Sequence, residues 1–369
     1  MRLRIVPFSD VRSAITSSTA YDPQSQFNTH EHSISEITAA VPNVDHRARS
    51  EREQPWLRLR SWLDLILESQ RIDPGKAHQI KLPGWYCDDL VRAGATWEMS
   101  RRISADVWED MRDGFPERTA SGHAVDALFT STDHVPMRYF VRLDACSLKD
   151  AEILPSGKDT DADRPMGNVA LTSASELWQR ILTSVRGCRG IKEARNSEED
   201  VYIYLLPWRE DVVRGIEFRV FCPPHEGRIA AISQYVWHKP LHAFTSHSSG
   251  LETWCDQVLK GIEDVHERIS NSEACTSAMR DVGYSFDVLV FGGEAAKNAS
   301  YQSPGDKHPL VHRSMDVQLI ELNSFGATTG CGSCLFHWIR DAEVLYGKLE
   351  DVEFRVTLVR DIHSTIGNT

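Results

Sequence analysis

The sequence predicts an α+β protein. Three observations lead there. Apolar residues recur at helical spacing in Trp56, Leu57, Leu59, Trp62, Leu63, Leu65 and Ile66. Short strand-like runs gather in the second half, at 201–206, 216–222 and 228–236. Gly215 and the Pro223–Gly227 turn separate these runs, which predicts an antiparallel meander.

In chain order, residues 1–54 are rich in Ser, Thr, Asn, Asp and Glu without sustained periodicity, and read as a mobile leader. A helix is expected over 56–70, a short strand at His78–Pro83, and a helix carrying Trp85, Leu90 and Val91. Helices follow around Ala105–Met111 and His123–Phe129, then a strand at Tyr139–Asp144. Residues 151–170 read as a loop, and Ser173-Ala174-Ser175-Glu176 as a capping-box start to a helix over 174–186. After the meander come helices at Leu251–Ile269 and 273–281. A hairpin-like pair of strands then flanks a polar insertion at about 292–313, and a last helix starts at Phe336. Residues 365–369 read as frayed.

Composition narrows the function classes. Of 369 residues, 41% are hydrophobic and 25% charged, as in an ordinary globular protein. A net charge of −12 argues against a nucleic-acid surface as the main function. No run approaches the roughly 18 apolar residues of a membrane span, and the N-terminal residues lack a secretory apolar core. The eight scattered cysteines point to reduced thiols. A cytoplasmic monomer without membrane or nucleic-acid partners is the expectation.

The chemistry is concentrated in Met315–Gly326. Its alternation places Glu321 and Asn323 two residues apart on one face. A carboxylate beside an amide oxygen suits a hard cation, and Asp287, in a strand expected to pair with this one, supplies a third oxygen donor. Between Phe286 and Val288, that carboxylate would be costly to bury alone. Asp287, Glu321 and Asn323 are therefore candidate Mg²⁺ ligands; an exposed polar sheet face is the alternative. Arg142 and Arg219, each mid-strand, and Lys149 are candidate phosphate contacts, since guanidinium forks match phosphate oxygens. Internal pairs, Arg219 with Glu217 and Arg142 with Asp144, explain the arginines equally well. There is no P-loop and no dinucleotide-binding glycine pattern. Cys331-Gly332-Ser333-Cys334 is a lone CxxC, for which a structural role is preferred.

Four segments in order resemble the cell division cycle 123 (D-123) family, an atypical branch of the ATP-grasp fold. They are Val141–Ala151; Gly215–Phe221 with Ala231–Tyr235; Phe286–Val288; and Leu319–Gly326 with Leu335–Trp338. The resemblance implies two α+β lobes with ATP between them, at 55–200 and 201–350, the second carrying an antiparallel sheet and the metal site; 351–369 would be an extension. Arg142 and Lys149 would lie over the phosphates, Arg219 would approach them from the second lobe, and Asp287, Glu321 and Asn323 would bind Mg²⁺. The 205–208 segment would hold adenine through the backbone of Leu206 or Trp208, since Pro207 has no N–H.

The function implied is that of an assembly chaperone binding the gamma subunit of translation initiation factor 2. The alternative is an ATP-grasp ligase that activates a carboxylate as an acyl phosphate for amide formation in a specialised, secondary-metabolite pathway. Leu148 and Ser324 stand where the family has proline, and Arg142 where many members have lysine. On this reading Asp287→Ala or Glu321→Ala abolishes Mg²⁺-dependent ATP binding and leaves the fold intact.

Overall fold

Among the described residues the strands form two sheets, one of six strands and one of three. The computed structural model describes residues 1–17, 25–30, 32–46, 54–130, 137–152, 170–241, 244, 250–292 and 315–359. Contacts divide the chain into a first unit, Met1–Leu57 with Ser61–Gln70 and Asp211–Thr369, and a second, Arg58–Arg60 with Arg71–Glu210. The α+β class is as expected.

In the first unit the strand order is β1 (Arg2–Pro7), β9 (Glu353–Leu358), β6 (Ala231–Gln234), β5 (Ile216–Cys222), β7 (Tyr284–Phe291) and β8 (Asp316–Ser324). Strands β6, β5, β7 and β8 are antiparallel, whereas β9 runs parallel to both β6 and β1. Helix α9 (Leu251–Asn271) buries Trp254, Val258, Ile262, Val265 and Ile269, spaced three or four apart along one face. Each such side chain contributes about 1.5–3 kcal/mol on burial, so this face rather than intrinsic propensity holds the helix. Trp254 reaches Phe218 of β5 with ring centroids 6.0 Å apart.

The second unit is built on strands β2 (His78–Leu82), β4 (Val201–Pro207) and β3 (Tyr139–Leu143), with β4 central and antiparallel to both neighbours. Its core joins Ile80, Val141, Leu143, Ile203 and Leu205 to residues of helices α4 (Gly84–Ser100) and α7 (Ala174–Thr183). Gly94 of α4 leaves room for the Cys188 thiol of α8 (Val185–Asn196), which an added Cβ would overlap.

Several expectations are corrected. Residues 2–7 and 8–17 are not part of a mobile leader: β1 pairs with β9, and helix α1 (Phe8–Ser17) buries Val11 and Ala14. The alternation in Arg2–Val6 is too short to stand out, and its partner lies some 350 positions away in sequence. Helix α2 (Ile34–Ala40) starts in the same stretch with a Ser33–Glu36 capping box. The supposed extension at 351–369 supplies β9, inside the sheet. Its Phe354, Val356 and Leu358 alternate with Glu353, Arg355 and Thr357, all six buried. Residues 201–207 do not continue into a meander; β4 belongs to the three-stranded sheet, and of the three runs β5 and β6 alone pair with each other. The boundary accordingly lies at 210/211 rather than 200/201, with 1–57 and 61–70 in the first unit. The 174–186 helix breaks at Ser184, whose side chain caps α8. The expected helix from Phe336 is turns leading into a short helix α11 (Ala342–Leu345). Most of the 151–170 and 292–313 segments, and 365–369, lie outside the described residues.

Candidate functional site

Residues opposite one another in antiparallel strands share a face. Arg219 of β5 is opposite Asp287 of β7, which is opposite Glu321 of β8, and Ser285 is opposite Asn323. Strict alternation would put Val317 and Leu319 on the face of Glu321 and Asn323. A register shift at Asp287/Val288 prevents this, pairing Val288 with Leu319 while Asp287 pairs with Glu321. The extra residue, Ile320, turns Leu319 toward the apolar face and Glu321 toward the polar one, as bulges beside functional sites do. Leu319 is buried, whereas Glu321 and Asn323 are half-buried.

Asp287 is fully buried and Arg219 is 7% exposed. Arg219 grips Asp287 with a fork: Nε–H donates to Oδ1 at 2.8 Å, and an Nη2–H to Oδ2 at 2.8 Å. The Asn323 amide donates to the same Oδ2 at 3.1 Å. Arg219 also donates from Nη1 to the Gly332 carbonyl at 3.0 Å and lies 4.8 Å from the ring centre of Tyr235. Burial alone would lower the Arg219 pKa, but the carboxylate of Asp287 holds it well above the ordinary value. The guanidinium is a fixed positive charge.

Of the alternative internal pairs, Arg219–Glu217 gives way to Arg219–Asp287, and Arg142–Asp144 is not formed. Asp144 instead accepts from Arg60, at 2.9 Å from its backbone N–H and 3.0 Å from Nε. Arg142, 7% exposed, donates from Nε to the Leu143 carbonyl at 3.4 Å. It belongs to the second unit, with Lys149, Leu206 and Trp208. Leu206 lies in β4 opposite Phe140. The Trp208 N–H already donates to the Arg138 carbonyl at 2.8 Å, so an adenine contact here would use carbonyl groups.

Solved structures similar to the chain include two that share one fold. Both are of Cdc123 from Schizosaccharomyces pombe, one of them C-terminally truncated. Each is 16% identical, with a TM-score of 0.49, over 85% of this chain and 100% of that chain. Neither a protein-family profile nor a curated protein matches.

Asp287, Glu321 and Asn323 offer the oxygen donors that Mg²⁺ prefers, usually with waters and substrate phosphates completing its shell. Among the described residues no three His, Cys, Asp or Glu side chains converge as a metal cluster, so the shell would need the asparagine and ligand oxygens. The set fits Mg²⁺ by ligand type, provided Arg219 releases Asp287.

Glu217, two residues before Arg219, shares its face, as strand periodicity leads one to expect. Sequence reasoning missed the rest of the surroundings. Tyr235 sits beside Glu217, to whose carbonyl its N–H donates at 2.9 Å. The CxxC segment packs on the same face: the Cys331 thiol is 3.2 Å from Ser285 Oγ and accepts from Arg219 at 3.6 Å. Burial pushes both the Cys331 and Cys334 thiols up, so they are inert neutral groups against the guanidinium. No signal in the sequence fixes where that loop folds back.

Proposed function

We propose that this chain is an ATP- and Mg²⁺-binding assembly factor with an ATP-grasp-like fold, acting as the cell division cycle 123 family does on the gamma subunit of translation initiation factor 2. The observation that carries the nucleotide part is the convergence of Arg219, Asp287, Glu321 and Asn323, from three strands more than 100 positions apart at their extremes, on one sheet face. A phosphate-matching guanidinium beside three oxygen donors is the chemistry of a metal–phosphate site.

Asp287, Glu321 and Asn323 would hold Mg²⁺, which when bound neutralises phosphate charge. Arg219 would orient a phosphate through its fork, and buried surroundings would strengthen that contact relative to water. Arg142 and Lys149, with backbone groups of Leu206 and Trp208, are the proposed nucleotide contacts of the second unit. The protein partner rests on the segment resemblance alone.

Calorimetric titration with ATP and Mg²⁺, followed by capture of purified gamma subunit, tests both parts. Binding of ATP–Mg²⁺ and of the gamma subunit without ADP formation supports the assembly role. ADP release that depends on an added carboxylate and amine would replace it with ligase chemistry.

A further inference from the structure

The buried Arg219–Asp287 pair bears on which form of ligand this face accepts. Around Arg219 the face carries three carboxylates, Glu217, Asp287 and Glu321; beyond Ser233 it also carries Arg355, which is paired with Glu353 and Asp341. The guanidinium is therefore the resident counter-charge of the most buried carboxylate, bound through both of its oxygens.

We propose that this face takes a divalent metal and a polyphosphate only together, as one complex, because Arg219 gives up Asp287 only to an anion that arrives with the cation. The proposal rests on the metal–nucleotide reading above. A free cation that captured Asp287 would strand a nearly buried guanidinium without its anion, which is strongly unfavourable. A free polyphosphate would meet three carboxylates and an arginine already committed to one of them. When both arrive, each buried charge exchanges one partner for another: the metal takes Asp287, and a phosphate takes Arg219. The Gly332 carbonyl and the Tyr235 ring still hold the guanidinium from its other sides, so it can turn without losing all of its contacts. Metal and phosphate affinities are then linked, and reciprocally so.

The test uses the full chain with Mn²⁺ as the probe metal, observed by electron paramagnetic resonance, and ATP with and without it. Wild-type protein should bind Mn²⁺–ATP at least about fivefold more tightly than Mn²⁺ alone or ATP in chelator. Arg219→Met should do the opposite of an ordinary ligand loss. Relieved of its competitor, Asp287 should bind Mn²⁺ alone at least about tenfold more tightly than in wild type, and the advantage of the complex should shrink. Arg219→Lys, which keeps the charge and loses the fork, should fall between the two and serves if Arg219→Met does not fold. Wild-type binding of Mn²⁺–ATP with no gain for Mn²⁺ alone in either variant overturns the proposal and leaves the nucleotide site standing. A wild type that binds neither Mn²⁺–ATP nor its components overturns both.

Discussion

Asp287→Asn should cost about 3–5 kcal/mol of folding stability, the usual loss when one partner of a buried ion pair is removed. Asp287 is fully buried and accepts two bonds of 2.8 Å from Arg219 and one of 3.1 Å from Asn323. An asparagine retains one acceptor oxygen and turns an N–H₂ group toward donors. Arg219 would keep the Gly332 carbonyl, the Tyr235 ring and a weak thiol contact, none of which carries a negative charge. Against a total stability of about 5–15 kcal/mol, such a loss is large. On this reasoning Asp287→Ala also loses stability, where the sequence alone predicts an intact fold. Arg219→Met should lose a comparable amount, whereas Arg219→Met with Asp287→Leu, which removes both charges, should lose far less than the sum of the single changes. Urea unfolding of the four proteins gives the coupling energy, expected to be at least about 2 kcal/mol. Additive losses, or single losses under about 1 kcal/mol, would refute the reasoning, for they would mean that the pair is solvated.

Three further outcomes are expected. Deleting residues 1–7 removes the β9 partner strand and takes Arg2 and Arg4 from the buried Glu353, 3.7 and 3.8 Å away; hydrogen exchange should show β9 amides losing protection, and unchanged protection would contradict the pairing. Of the eight cysteines, only Cys146 and Cys188 are not fully buried, and burial pushes Cys188 up to about 12. Native protein should therefore show one fast thiol toward a disulfide reagent, abolished by Cys146→Ser, and a fast phase that survives this change would be contrary evidence. Burial, aided by Arg340 and His32, lowers the His337 pKa from 6.5 to about 4, and its Nδ1 accepts the N–H groups of Ile339 and Arg340. The folded state thus stays neutral where the unfolded chain takes a proton, so this stability is present above about pH 6.5 and lost as pH falls through about 4. His337→Asn, which keeps an acceptor there, should flatten the unfolding free energy against pH in that range; an unchanged slope would exclude the histidine as its source.

The site strands were legible because their signals are local. Polar residues at positions 287, 321 and 323 of apolar runs stand out, and pairing of 284–291 with the strand of 316–324 follows from their proximity across one insertion. The fate of Arg219 was not legible. Glu217 is its evident partner in sequence, and Asp287 becomes one only when strand order places β7 directly beside β5. The bulge at Ile320 was hidden for a related reason: a one-residue shift leaves composition unchanged and reverses the faces before and after it. Strands β1 and β9 needed each other to be recognised, and nothing within six residues reports a partner at the far end of the chain. The Cys331–Trp338 loop is held by scattered contacts, including the Trp338 indole N–H to the Cys331 carbonyl at 2.9 Å and the Cys334 N–H to Asn28 at 3.1 Å. Such contacts leave no periodic trace.

The most direct test of the metal–phosphate site is Mn²⁺–ATP binding to Asn323→Ala beside wild type. This change removes one proposed oxygen ligand and a 3.1 Å hydrogen bond while sparing the Arg219–Asp287 pair, at a folding cost of about 1 kcal/mol. The account predicts a folded variant whose Mn²⁺–ATP affinity falls at least about tenfold with affinity for ATP in chelator unchanged, a loss of about 1.4 kcal/mol. Equal Mn²⁺–ATP affinity in the two proteins would contradict it.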